Sequence, residues 1–258
     1  MATLSRRVVN WAAAFEDGAL IRAAFFGLLT ATAVILYLDY TDLSARTPAT
    51  DPGALTPILP AFDPSAPGGT PGPDVTTPIE ALRQPLQGAL VSGGTLDLTG
   101  TIDPGAAQRV AAEIAAHGEY IRTVALDSPG GALADALAIG RLIRDKGYTT
   151  SVAAGALCAS SCPLVFAGGR ERLATAGSAI GVHQIYAARP AGAEITPLSP
   201  AAAMSEAQSM TAQITRYLAD MGIGNQVWLA ALETPPDRLT YFSGTDLIDF
   251  KLATKLTK

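Results

Sequence analysis

The sequence predicts an α/β domain with parallel strand pairing, carried behind an apolar N-terminal helix and a proline-rich segment. Three observations predict it. Between residues 94 and 155, short apolar or alternating runs that suit strands take turns with segments whose apolar residues recur at helical spacing. Glycine, proline and aspartate mark the junctions between these runs. The first 78 residues show no such alternation.

With 258 residues, 48% hydrophobic and 16% charged, the chain is long enough for one sizeable domain plus extensions. A net charge of -5 with no basic cluster argues against nucleic acid as a partner. Two cysteines and two histidines leave little material for a metal centre. A closed zinc site draws four ligands from such residues. Cys158, Cys162 and His183 supply three, so neither a metal nor another cofactor is expected.

Residues 1–17 read as a short leading segment and residues 18–40, "GALIRAAFFGLLTATAVILYLDY", as a membrane anchor. No charge interrupts Ala23 to Leu38, a length near the lower limit for a bilayer span. Arg6, Arg7 and Arg22 precede the run, and Asp39 and Asp42 follow it. That asymmetry predicts a cytoplasmic N-terminus and a C-terminal domain on the far side of the membrane. A cleaved signal peptide is the competing reading, and "SRRVVNW" hints at a twin-arginine signal. The long apolar run and the lack of a clean small-x-small site after it favour an uncleaved anchor. Residues 41–78 hold half of the 18 prolines and read as an extended or disordered linker.

The folded domain is expected over residues 79–258. "GTLDLTGTI" (94–102) alternates like a strand, and "PGAAQRVAAEIAAHG" (104–118) has helical spacing with Asp103 as its expected N-cap. "IRTVALD" (121–127) reads as a strand, the segment up to Gly147 as a helix that this glycine ends, and "YTTSVAAG" (148–155) as another strand. A longer helix is expected over 199–222.

Two stretches carry candidate chemistry. "DSPGG" (127–131) sits where a strand turns into a helix, and paired glycines suit a backbone that turns sharply or lies against something. In "GALCASSCPLVFAGG" (155–169), Ser160 and Ser161 precede an apolar helical run, Cys162–Ala167. A serine there is either a helix cap or a nucleophile at the positive helix end. Farther along, "AIGVHQ" puts His183 at the end of a short apolar strand. His117 falls outside every motif and reads as a surface residue.

In order and spacing, Ser128-Pro129-Gly130-Gly131, Ala159-Ser160, Ala167-Gly168 and His183-Gln184 resemble the Clp protease proteolytic subunit and its ClpP/crotonase superfamily. The closing "DRLTYFSGTDLIDFKLAT" (237–254) is similar as well. The resemblance covers about residues 94–254, and "CxSxC" looks like a membrane-anchored periplasmic branch. It implies a layered α/β fold of repeated β-β-α units. It also implies a serine hydrolase, in particular a peptidase, with Ser160 as nucleophile and His183 as base, and Ser161 as the alternative nucleophile. Backbone N–H groups of Gly130, Gly131 and Ser161 would form the oxyanion hole.

The family's third residue, an aspartate, falls within Glu233-Thr234-Pro235-Pro236, where none stands. Glu233, Asp237 or a backbone carbonyl is left to orient His183, so a weak or inactive peptide-binding scaffold stays open. Cys158 and Cys162 are either a disulfide that stiffens the serine turn, in an oxidising compartment, or two small buried thiols. A crotonase-type enzyme acting on acyl-thioesters is disfavoured by the location. A serine–lysine peptidase is disfavoured because Lys146 lies away from the motifs. The expected partners are a peptide or protein substrate, a bacterial inner membrane crossed once with the domain in the periplasm, and further copies of the chain as a homo-oligomer.

Overall fold

The computed structural model describes residues 17–46, 73–185 and 200–258. The expected leader (1–16), most of the expected proline-rich linker (47–72) and residues 186–199 lie outside the described residues. The chain divides into two compact units, Met1–Ala54 and Leu55–Lys258.

Among the described residues, the first unit contains one helix, α1 (Asp17–Arg46), longer at its C-terminal end than the expected anchor. Its segment Ile21–Thr41 has mean hydropathy 1.9 and no residue buried against protein. At 1.5 Å per residue those 21 residues reach about 30 Å, long and apolar enough to cross a bilayer. Thr30 and Thr41 return their hydroxyls to the carbonyls of Phe26 and Leu38, so neither presents an unpaired donor outward.

The second unit is a mixed α/β domain. In chain order it holds α2 (Ile79–Leu82), β1 (Gln87–Val91), β2 (Thr95–Thr99), α3 (Ala106–His117), β3 (Thr123–Asp127), α4 (Leu133–Lys146), β4 (Thr149–Val152), β5 (Leu157–Ala159) and α5 (Cys162–Ala167). Then come β6 (Arg172–Thr175), β7 (Ala179–Val182), α6 (Pro200–Asp220), α7 (Gln226–Glu233), β8 (Thr240–Tyr241), α8 (Gly244–Asp249) and β9 (Lys255–Thr257). A six-stranded sheet runs β1-β2-β3-β4-β6-β9, parallel except for the β1–β2 hairpin. A smaller sheet runs β5-β7-β8, with β5 and β7 parallel. Two strands and a helix follow one another in β1-β2-α3, β4-β5-α5 and β6-β7-α6. The β3-α4 unit lacks its second strand and offers only the single bridge Ser128–Cys158 to β5.

Several elements show why the chain folds this way. Alternation in "TLDLT" and "TVALD" buries Leu96, Leu98, Val124 and Leu126 on one face. Gly147 ends α4 in the left-handed conformation, as its position after Lys146 predicts. The start of α3 differs from expectation. Asp103 is not its cap, because the preceding residue is Gly105 and the Asp103 carboxylate is engaged by Leu86 N–H and Arg109. Asp135 of α4 caps α3 instead, accepting from the N–H groups of Gly105 and Ala107. The domain also starts earlier than Ile79. Thr76 N–H reaches the Gly155 carbonyl at 2.9 Å, and the Thr77 hydroxyl donates to Asp127.

One close approach sets the position of α5. A Cβ on Gly140 of α4 would lie 2.8 Å from the Leu164 carbonyl, and one on Gly168 would lie 2.7 Å from the Gly140 Cα. Helices α4 and α5 therefore touch backbone to backbone, and the start of α5 is delivered to the C-terminal ends of the parallel strands.

Candidate functional site

The site grows from the end of β5. Ala159 N–H donates to the Ser128 carbonyl at 3.0 Å, and Ser128 N–H donates to the Leu157 carbonyl at 2.6 Å, so the Ser-Pro-Gly-Gly segment runs alongside β5. At Ser160 the chain turns with φ 61, a left-handed conformation that non-glycine residues adopt rarely. Its N–H donates to the Gly181 carbonyl of β7 at 3.0 Å. Then α5 begins, with Ser161 at its N-cap position and Pro163 in its first turn.

Gly130 fills the space over this turn. A Cβ there would stand 2.7 Å from the Ser160 Cβ and 2.8 Å from the Ser161 amide nitrogen. Gly131 lies against the Ile102 carbonyl, with no room for a side chain and with φ 146. Both residues are glycine for the same physical reason: backbone packs on backbone.

Their N–H groups are engaged within the chain. Gly130 N–H donates to Ser128 Oγ at 3.1 Å. Gly131 N–H donates to Ser161 Oγ at 2.8 Å, and that hydroxyl lies 3.3 Å from the Gly131 carbonyl, to which it donates. Ser161 is thus buried with its hydroxyl turned toward Gly131. Ser160 is half-buried and more open.

Cys158 and Cys162 are bonded through their sulfurs and fully buried. The bridge closes a loop around Ala159, Ser160 and Ser161. These sulfurs are therefore not thiolate ligands, and among the described residues no group of three or more metal-ligating side chains gathers.

His183 follows β7 directly. Because Ala159 pairs with Gly181 in parallel register, Ser160 and His183 both leave the small sheet at its C-terminal edge, on neighbouring strands about 5 Å apart. The residue is 8% exposed. Burial pulls its pKa below the ordinary histidine value, and a backbone hydrogen bond to Gln184 partly opposes that.

The segment where the third residue was sought lies beside the histidine strand. Gln184 N–H donates to the Thr234 carbonyl at 2.8 Å, and Gln184 Nε2 donates to the Leu232 carbonyl at 2.6 Å. Glu233 itself is exposed, and Asp237 is exposed beside Arg238. The buried residue at this place is Thr234, whose hydroxyl meets the Ala230 carbonyl and Thr240 Oγ1, each at 2.7 Å. In the sequence its place between Glu233 and two prolines is the signal that points to it. His117 is a surface residue near Glu113.

No protein-family model matches the chain, and no curated protein matches it. Among solved structures it is similar to a point mutant of ClpP1 from Listeria monocytogenes, at 17% identity and a TM-score of 0.48. That match covers 64% of this chain and 91% of the other.

Proposed function

We propose that the domain is a serine hydrolase acting on peptide bonds, held at the periplasmic face of a bacterial inner membrane by α1. Ser160 is the nucleophile and His183 the general base. The observation that carries this reading is the left-handed turn at Ser160, pinned by its N–H to the strand that ends in His183. Such a turn lifts a serine hydroxyl away from its own strand, and backbone strain of this kind gathers at sites of chemistry.

In the proposed step, His183 accepts the Ser160 hydroxyl proton as Oγ bonds to the substrate carbonyl carbon. The Ser161 N–H and, once Ser161 Oγ rotates away, the Gly131 N–H hold the developing oxyanion. Collapse breaks the C–N bond, and the imidazolium returns its proton to the leaving amine. Water then releases the acyl group by the same path. The disulfide holds the turn throughout.

A fluorophosphonate probe tests the proposal. It should label the chain, and the label should vanish in Ser160→Ala and fall by roughly 10²–10⁴-fold in His183→Ala. Since burial lowers the His183 pKa, neutral imidazole persists below the usual ~6.5, so the labelling rate should reach half its plateau at a pH under 6.5. Labelling that survives Ser160→Ala but not Ser161→Ala moves the nucleophile by one residue.

A second reading keeps the fold without turnover, as a peptide-binding scaffold. The engagement of the Gly130 and Gly131 N–H groups by Ser128 and Ser161 favours it, as does the exposure of Glu233. A chain that binds peptides and takes no label at either serine would establish that reading.

A further inference from the structure

We infer that Gln184 is a positioning residue for His183, fastening the end of the histidine strand to the carbonyl end of α7 with its main-chain and side-chain N–H groups. The inference rests on the hydrolase reading, and it names what holds the base in place.

The last carbonyls of a helix have no partner within it. In α7 two acceptors at that end, Leu232 O and Thr234 O, are taken by Gln184 at 2.6 and 2.8 Å. Thr234 is itself fixed. Its N–H reaches the Ala231 carbonyl, and its hydroxyl meets Ala230 O and Thr240 Oγ1. Thr240 belongs to β8, where it pairs with Val182 of β7. The connections therefore close on themselves. Val182 is tied to Thr240, Thr240 to Thr234, and Thr234 to Gln184.

His183 is the one residue between the two anchored positions. Its backbone is clamped on both sides, so its side chain leaves the strand in a fixed direction. The groups across from Gln184 are neutral carbonyls and hydroxyls, and the nearby carboxylate, Glu233, is exposed. In this arrangement the strand itself contributes to the orientation of the base. Displacing a reacting group by about 1 Å costs on the order of 10²-fold in rate, so a modest side chain one residue from the base has leverage.

The test uses the full-length chain in detergent and two readouts. Gln184→Met keeps the side-chain length and removes the amide. Fluorophosphonate labelling of Ser160 is expected to slow by about 10–100-fold, with little change in melting temperature. The same substitution made in His183→Ala is expected to change the residual rate by less than about twofold, because the two residues act as one unit. An equal loss in both backgrounds, or a wild-type rate in Gln184→Met, overturns the inference.

The second readout does not depend on catalysis. The chain has two histidines, so the ring signals of His183 are identified by their loss in His183→Ala. Gln184→Met should shift or broaden them and leave those of His117 in place. If the His183 signals stay unmoved, the inference fails even where labelling is slowed. If they move in a protein that takes no label at Ser160, the clamp stands and the hydrolase reading falls.

Discussion

The two ends of α5 are built on opposite terms. At its start the chain passes through a left-handed serine, a buried disulfide and a hydroxyl folded back onto Gly131. At its end the carbonyls left without helical partners are gathered by two arginines. Arg144 donates to the carbonyls of Ala167, Gly168, Gly169 and Met221, and Arg172 to those of Gly169, Lys251 and Leu252. Positive charge at a helix C-terminus is favourable, and each bond from a charged donor is stronger than a neutral one. The difference teaches where this domain keeps its stability. The end remote from the strand edge is held by many charge-assisted bonds, and the end at the strand edge carries the strain.

The comparison breaks first at Arg172. Its side chain is buried, burial and then the neighbouring Arg144 pull its pKa down, and among the described residues no carboxylate pairs with it. Arg172→Met would leave the carbonyls of Leu252 and the left-handed Lys251 without their side-chain donor, and that of Gly169 with Arg144 alone. The expected loss is about 2–4 kcal/mol. For a domain of this size that is a fall of roughly 5–15 °C in melting temperature, measurable by calorimetry. A drop under about 2 °C would mean that the anchored end is not where stability resides.

The disulfide is next in size. Cys158 and Cys162 are four positions apart, so the closed loop is short and its removal should cost about 2 kcal/mol. Replacing both with alanine should slow fluorophosphonate labelling by more than that stability loss explains, because the loop encloses Ser160. Both sulfurs are fully buried, so a mild reductant should leave labelling unchanged while the fold persists. Sensitivity of the native protein to such a reductant would show that the turn opens readily.

Much of this arrangement was legible in the sequence, and the rest was not for identifiable reasons. The strand–helix alternation, the stop at Gly147 and the short helix Cys162–Ala167 are local signals, readable from periodicity and terminal residues. So is the crowding that glycine relieves at Gly130 and Gly131. The capping of α3 by Asp135, the gathering of carbonyls by Arg144 and Arg172, and the bonds from Gln184 to α7 join residues that, apart from the Arg172–Gly169 pair, stand 23 to 80 positions apart. Nothing in a local window specifies such pairs. For the place beside His183 the sequence offers Glu233, Asp237 or a backbone carbonyl; both carboxylates are exposed, and the carbonyls of Leu232 and Thr234 accept from Gln184.

The smallest effect sharpens the comparison most, because its sign is unusual. At Ser160 the φ of 61 is costly for a residue with a Cβ and free for glycine. Ser160→Gly should therefore raise stability relative to Ser160→Ala by about 1 kcal/mol, although glycine ordinarily lowers it by a similar amount in regular structure. Both variants lose the hydroxyl, so both should lose the label. Melting temperatures of the pair isolate the backbone term from the chemistry. A glycine variant no more stable than the alanine variant would mean that the turn is unstrained, and that the bond from Ser160 N–H to Gly181, not the left-handed conformation, is what presents the hydroxyl.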